Sequence, residues 1–83
     1  MSENDTKTQK KLQKIFREVF DDDKLVIVRE TTAEDIENWD SFAQISIVTG
    51  CEKVFKVHFE ISEILELKDV GDMMNLIERK LSA

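Results

Sequence analysis

One serine carries most of the chemistry this chain offers. Ser41 lies in Asn38-Trp39-Asp40-Ser41-Phe42, ahead of an apolar-spaced run from Ala43 to Phe55 and behind a segment dense in carboxylates. A hydroxyl at the mouth of a helix has two uses. Ser41 and Gln44 fit the Ser-x-x-Gln capping box, in which the hydroxyl accepts from a backbone N–H and the glutamine reaches back. Alternatively Asp40 takes the cap, and Ser41 becomes the first helical residue with its oxygen toward solvent. A phosphodiester carried there would sit beside unpaired N–H groups at the positive end of the helix dipole. The residues alone leave both uses open.

Other reactive groups point to less. Ser41, His58 and an aspartate lack the Gly-x-Ser-x-Gly turn of a hydrolase, and a chain of this length has little room for a substrate pocket. Asp21-Asp22-Asp23 lacks the alternating spacing, glycine and closing glutamate of a calcium loop, so it reads as a solvated, self-repelling run and no metal site is expected. Cys51 is the sole cysteine, which excludes an internal disulfide and suits a reducing cytoplasm. It falls on an apolar helical face and reads as a small core residue. His58 reads as a loop residue near Phe59.

The elements that must position Ser41 follow from periodicity. Leu12, Ile15, Phe16, Val19 and Phe20 share one helical face, opposite Lys10, Lys11, Lys14, Arg17 and Glu18, which predicts helix one over 6–20 with 1–5 frayed. The three aspartates end it, since carboxylates oppose the dipole at a helix C-terminus. Leu25-Val26-Ile27-Val28 looks like a strand but has no second strand to satisfy its backbone. It is expected as an extended loop that pins Leu25 and Ile27 on the core. Thr31-Thr32 before Glu34 and Asp35 suggests the start of a helical turn. Trp39, the only tryptophan, is expected to anchor the loop as it enters helix two.

Helix two is predicted over 41 to 55 or 56, with Phe42, Ile45, Val48, Cys51 and Phe55 buried and Ile47 and Val54 on the flanks. Gly50 inside it costs about 1 kcal/mol relative to alanine, which suggests close approach of another helix, a partner or a bound chain. A short helix over 62–65 follows. A last helix starts near Asp69, a candidate N-cap, and carries Val70, Met73, Met74, Ile77 and Leu81 as its apolar stripe. The fold class expected is all-α: an antiparallel bundle of three main helices and one short one, with a long loop between helices one and two.

Eighty-three residues make a single domain, 1–83, with no proline and only two glycines. From the polar start no secretory signal is expected, and no apolar run approaches a membrane span. The net charge of −6 is concentrated: residues 1–20 balance at +2, 21–40 at −6 and 41–83 at −2. Such a surface repels phosphate backbones, which argues against nucleic acid and for basic protein partners.

The ordered set Phe20-Asp21-Asp22, Leu25 and Ile27, Thr31-Thr32-Ala33-Glu34-Asp35-Ile36, and Trp39-Asp40-Ser41-Phe42 resembles the acyl carrier protein family. It looks most like the stand-alone carriers in which Trp-Asp-Ser replaces Gly-Ala-Asp-Ser. Glu52-Lys53-Val54-Phe55 with Val57 and Phe59 resembles the end of the family's second helix. Ser62 to Asp72 resembles its third helix and the start of its fourth, so the likeness covers roughly residues 12–81.

The resemblance implies that a phosphopantetheinyl transferase links 4′-phosphopantetheine from coenzyme A to Ser41. It further implies a monomeric, cytoplasmic, non-catalytic carrier of acyl thioesters between acyl-loading and acyl-transferring enzymes. Asp40 would help the transferase recognise the site and Phe42 would supply an apolar contact at the helix start. Partners would read Ser46, Thr49, Glu52 and Lys53. An acyl chain would find partial shelter between helices two and four, with Met73 a possible liner.

One departure stands out. Glu52 is the only acid from 41 to 56, against Lys53 and Lys56, and Ser46 stands where a glutamate is usual. Steering by helix two is expected to be weak, which points to a specialised pathway rather than bulk fatty-acid synthesis. The rival readings are a peptidyl or aminoacyl carrier, and an unmodified interaction module with Ser41 as a plain cap.

Overall fold

The computed structural model describes residues 3–82, with side chains from residue 7 onward. Four helices follow one another: α1 (Glu3–Val19), α2 (Ser41–Phe55), α3 (Ile61–Leu65) and α4 (Val70–Ser82). No strand forms among the described residues, and the expected all-α bundle is what the chain adopts. Helix one begins earlier than expected: residues 3–5 are helical, while residues 1 and 2 of the segment expected to fray lie outside the described residues.

α1 is the central element, packed against α2 on one side and α4 on the other. It contributes Leu12, Ile15 and Phe16 to the core, where they meet Ile47, Val48, Cys51 and Phe55 of α2 and Met73, Met74 and Ile77 of α4. Leu76 also turns inward, whereas Leu81, expected on the stripe, is half exposed because the last turn of α4 runs past the core. Gly50 is explained by Ile15: a Cβ there would lie 2.9 Å from the Ile15 Cγ2 methyl, so α1 and α2 close together at that point.

Helix one ends in a left-handed cap. Asp21 takes φ 51°, and the Asp22 N–H reaches back to the Arg17 carbonyl at 3.0 Å, a Schellman closure without its usual glycine. The chain then extends through Leu25–Val28, with Ile27 fully buried and Leu25 packed against the core. Its backbone is satisfied by the polar side of α1 rather than by a strand. Gln13 Oε1 accepts from Ile27 N at 3.0 Å, Gln9 Nε2 donates to Ile27 O at 3.0 Å, and Arg17 Nε donates to Leu25 O at 2.7 Å.

The helical turn expected at Thr31-Thr32 is instead a single reverse turn. Asp35 N donates to Thr32 O, and the Asp35 carboxylate takes the Thr32 N–H at 2.9 Å. Thr31 is buried and its hydroxyl accepts from Val28 N, which folds the segment back toward α4. There Thr31 O and Arg29 O accept the N–H groups of Val70 and Gly71 at 2.9 and 2.8 Å. Asp69 caps α4 as expected, accepting from Asp72 N at 2.8 Å.

Candidate functional site

The start of α2 shows which residue caps the helix. Asp40 is the N-cap: it is extended, and its Oδ1 accepts the Ala43 N–H at 2.9 Å. Gln44 does not complete a box with the serine. Its Oε1 accepts from the indole Nε1 of Trp39 at 2.7 Å. Ser41 therefore occupies the first helical position, exposed, and its hydroxyl has no hydrogen-bond partner among the described residues. Asp40, not Ser41, caps α2.

Trp39 makes this arrangement firm. Its ring is half-buried and stands edge-on to Phe16 of α1, with Phe20 completing an aromatic trio at 6.3 Å from the indole. The loop thus enters α2 at a fixed point. Asn38, just before it, sits in the left-handed region at φ 73°, which an asparagine tolerates well. No acid lies in the first turn of α2, and the carboxylate next to Ser41 in the chain is that of the capping Asp40.

Phe42 and Ile45, expected in the core, are instead 81% and 66% exposed. Phe42 presents an outward apolar surface beside the serine. The reason for the reversal is that α2 is apolar around most of its circumference. The side chosen for burial is the one facing α1 and α4, through Ile47, Val48, Cys51 and Phe55. Ser46, Thr49 and Lys53 lie together along a shallow groove of about 420 Å³ between α2 and α1, with Ile45 and Gly50.

Glu52 is set apart from them. Its Oε2 accepts from Phe59 N at 2.9 Å and lies 3.3 Å from His58 Nδ1. The only carboxylate of α2 is thus drawn into the α2–α3 connection. His58, also 3.5 Å from Glu60, is the loop residue expected, and both its ring nitrogens face carboxylates rather than Ser41. Lys56 ends α2 in the left-handed region at φ 57°.

Cys51 is fully enclosed, and burial, with Glu52 next in effect, pushes its thiol up to about 12. Met73 and Met74 are likewise core residues. Sequence reasoning missed the outward apolar pair of α3, Ile61 and Leu65, both more than three-quarters exposed; five residues carry too little periodicity to show a face. No group of acidic, histidine or cysteine side chains able to hold a metal ion occurs among the described residues. No described helix is long and apolar enough to cross a membrane.

No protein-family model matches this chain, and no curated protein does. Among solved structures, it is similar to one whose fold and length agree closely: the solution NMR structure of holo acyl carrier protein from Geobacter metallireducens. The identity is 43%, the match covers 90% of this chain and 86% of that one, and the TM-score is 0.84. The helical fold and the exposed serine at the mouth of α2 define a small carrier-type bundle. The chain belongs to the acyl carrier protein family.

Proposed function

We propose that this protein carries acyl intermediates on 4′-phosphopantetheine attached through Ser41, serving separate enzymes and catalysing nothing itself. The observation that supports this reading most is the division of labour between Asp40 and Ser41. Asp40 satisfies the helix amide, and Ser41 is left exposed at the first helical position with its oxygen unengaged among the described residues. A group carried there meets no wall, because Phe42 and Ile45 beside it also point outward. The arm, when attached, supplies a terminal thiol on which acyl groups ride as thioesters.

A phosphopantetheinyl transferase is the modifying partner in this reading, and Asp40 and Phe42 are the residues beside the serine that it would read. Acyl-loading and acyl-transferring enzymes would then meet the outward side of α2. The likeness to a holo acyl carrier protein supports the assignment of the group.

A specialised pathway fits better than bulk fatty-acid synthesis. The outward side of α2 presents Phe42, Ile45, Ser46, Thr49 and Lys53, with no carboxylate, because Glu52 is held by Phe59 N. A partner that selects carriers by rows of acids on this helix would find little to grip.

The test is intact mass after incubation with coenzyme A and a broad-specificity transferase. The expected result is a gain of one phosphopantetheine moiety on the unaltered chain and none on Ser41→Ala. Modification that persists in Ser41→Ala, or an unaltered chain that gains nothing, overturns the proposal.

A further inference from the structure

Along the seam where α1 and α2 meet, two adjoining depressions of about 420 and 340 Å³ share Ile15, Glu18 and Val54 and so form one groove. Its apolar lining is Ile15, Val19, Ile45 and Val54; Ile45 and Val54 are 66% and 47% exposed, and Gly50 lies on the floor with Ile15 packed against it. Its polar rim is cationic. Lys11 and Lys14 stand along α1 and Lys53 along α2, against the single carboxylate Glu18. Lys11 leans over the Phe55 ring at 5.8 Å, and neither Lys14 nor Lys53 has an ion-pair partner among the described residues. A local excess of positive charge on a chain of net charge −6 runs against the whole molecule's field.

We propose that this groove docks an amphipathic segment of a partner enzyme whose flanks are acidic. The inference rests on the carrier reading only in calling the partner an enzyme that acts at Ser41. Length and shape favour a helix: a row of apolar side chains at i, i+3, i+4 and i+7 fits a seam between two helices, and acids on both sides of that row meet Lys14 and Lys53. Ser41 lies one helical turn from Ile45, at the end of α2 where the groove opens. A segment seated there would hold its enzyme beside the root of the arm. A flat anionic surface suits a concave seam poorly.

The test uses the full-length chain, labelled with ¹⁵N, and two amphipathic peptides that share one leucine stripe on an alanine background. One carries glutamates beside the stripe and the other lysines. The glutamate peptide is expected to shift the amides of Ile15, Ile45, Thr49, Gly50 and Val54, to bind at least tenfold more tightly than the lysine peptide, and to weaken as salt rises. Lys14→Glu with Lys53→Glu is expected to lower its affinity at least tenfold, and Lys14→Gln with Lys53→Gln by a smaller factor, with unchanged melting curves.

Equal or tighter binding of the lysine peptide overturns the proposal. So do shifts centred on Ile61 and Leu65 instead of the groove, or an affinity that ignores the lysine substitutions. Binding of anionic phospholipid vesicles in place of the glutamate peptide overturns it as well. The two readings fail separately: a chain that binds the peptide but takes no arm from coenzyme A sinks the carrier function and keeps the groove. One that takes the arm but ignores the peptide does the reverse.

Discussion

The indole of Trp39 stands edge-on to the ring of Phe16, with centroids 5.1 Å apart and planes at 88°, while its N–H holds Gln44. One residue thus joins α1, the connector and the first turn of α2. Trp39→Phe keeps an aromatic contact and loses the hydrogen bond, for an expected loss of about 1 kcal/mol. Trp39→Ala loses the ring as well, and about 3 kcal/mol is expected. Urea unfolding measures both; equal losses would show that the ring contact contributes nothing of its own.

The split between cap and serine has its own signature in stability. Asp40→Ala should cost about 1 kcal/mol, the usual loss for an N-cap. Ser41→Ala should stay within about 0.5 kcal/mol of the parent. Thermal melts of the unmodified chains decide it. A serine variant as costly as the aspartate variant would return Ser41 to capping.

Gly50→Ala sets two effects against each other. The helix gains about 1 kcal/mol from alanine. The added methyl meets Ile15 Cγ2 at 2.9 Å, on a stiff, buried, β-branched side chain, and overpacking of this kind costs about 1–3 kcal/mol. Net destabilisation is expected in the parent and net stabilisation in an Ile15→Ala background. Denaturation of the four members of the cycle checks the change of sign, and an unchanged sign would mean that the helices part freely.

Cys51 should make stability fall in alkali. Its thiol is pushed up to about 12 in the fold, against about 8.5 when unfolded. The fold suffers no penalty below the unfolded value; above it the unfolded chain ionises and the folded one does not, until pH reaches the folded value. About 2 kcal/mol should be lost by pH 10 through this group. Unfolding curves from pH 8 to 10 for the parent and Cys51→Ala test this: the parent should lose stability more steeply, and parallel profiles would refute it.

Much of this was legible in the residues, for definite reasons. α1 and α4 have one apolar face each, so their spacing names both the helix and its buried side. α2 does not: Phe42, Ile45, Ile47, Val48, Cys51, Val54 and Phe55 cover most of its circumference, and periodicity cannot say which part is left outside. Leu25–Val28 could be denied a strand partner from the sequence, but that Gln9, Gln13 and Arg17 would bind its backbone requires knowing that the two segments run side by side. The contest at Ser41 was undecidable locally, since Asp40 and Ser41 both satisfy a cap pattern. In the fold Asp40 takes the cap, and Gln44 is bound by a group outside the pattern, the Trp39 indole.

Helix and connector are measured by different rulers that happen to agree. Four residues of helix advance about 6 Å, and two residues of extended chain about 6.6 Å. Gln13 and Arg17, four apart, therefore meet Ile27 and Leu25, two apart. Growth of the chain within that stretch is quantised: one inserted residue turns Ile27 out of the interior and breaks the match, whereas two restore the alternation. One inserted residue there is expected to destabilise the fold more than two.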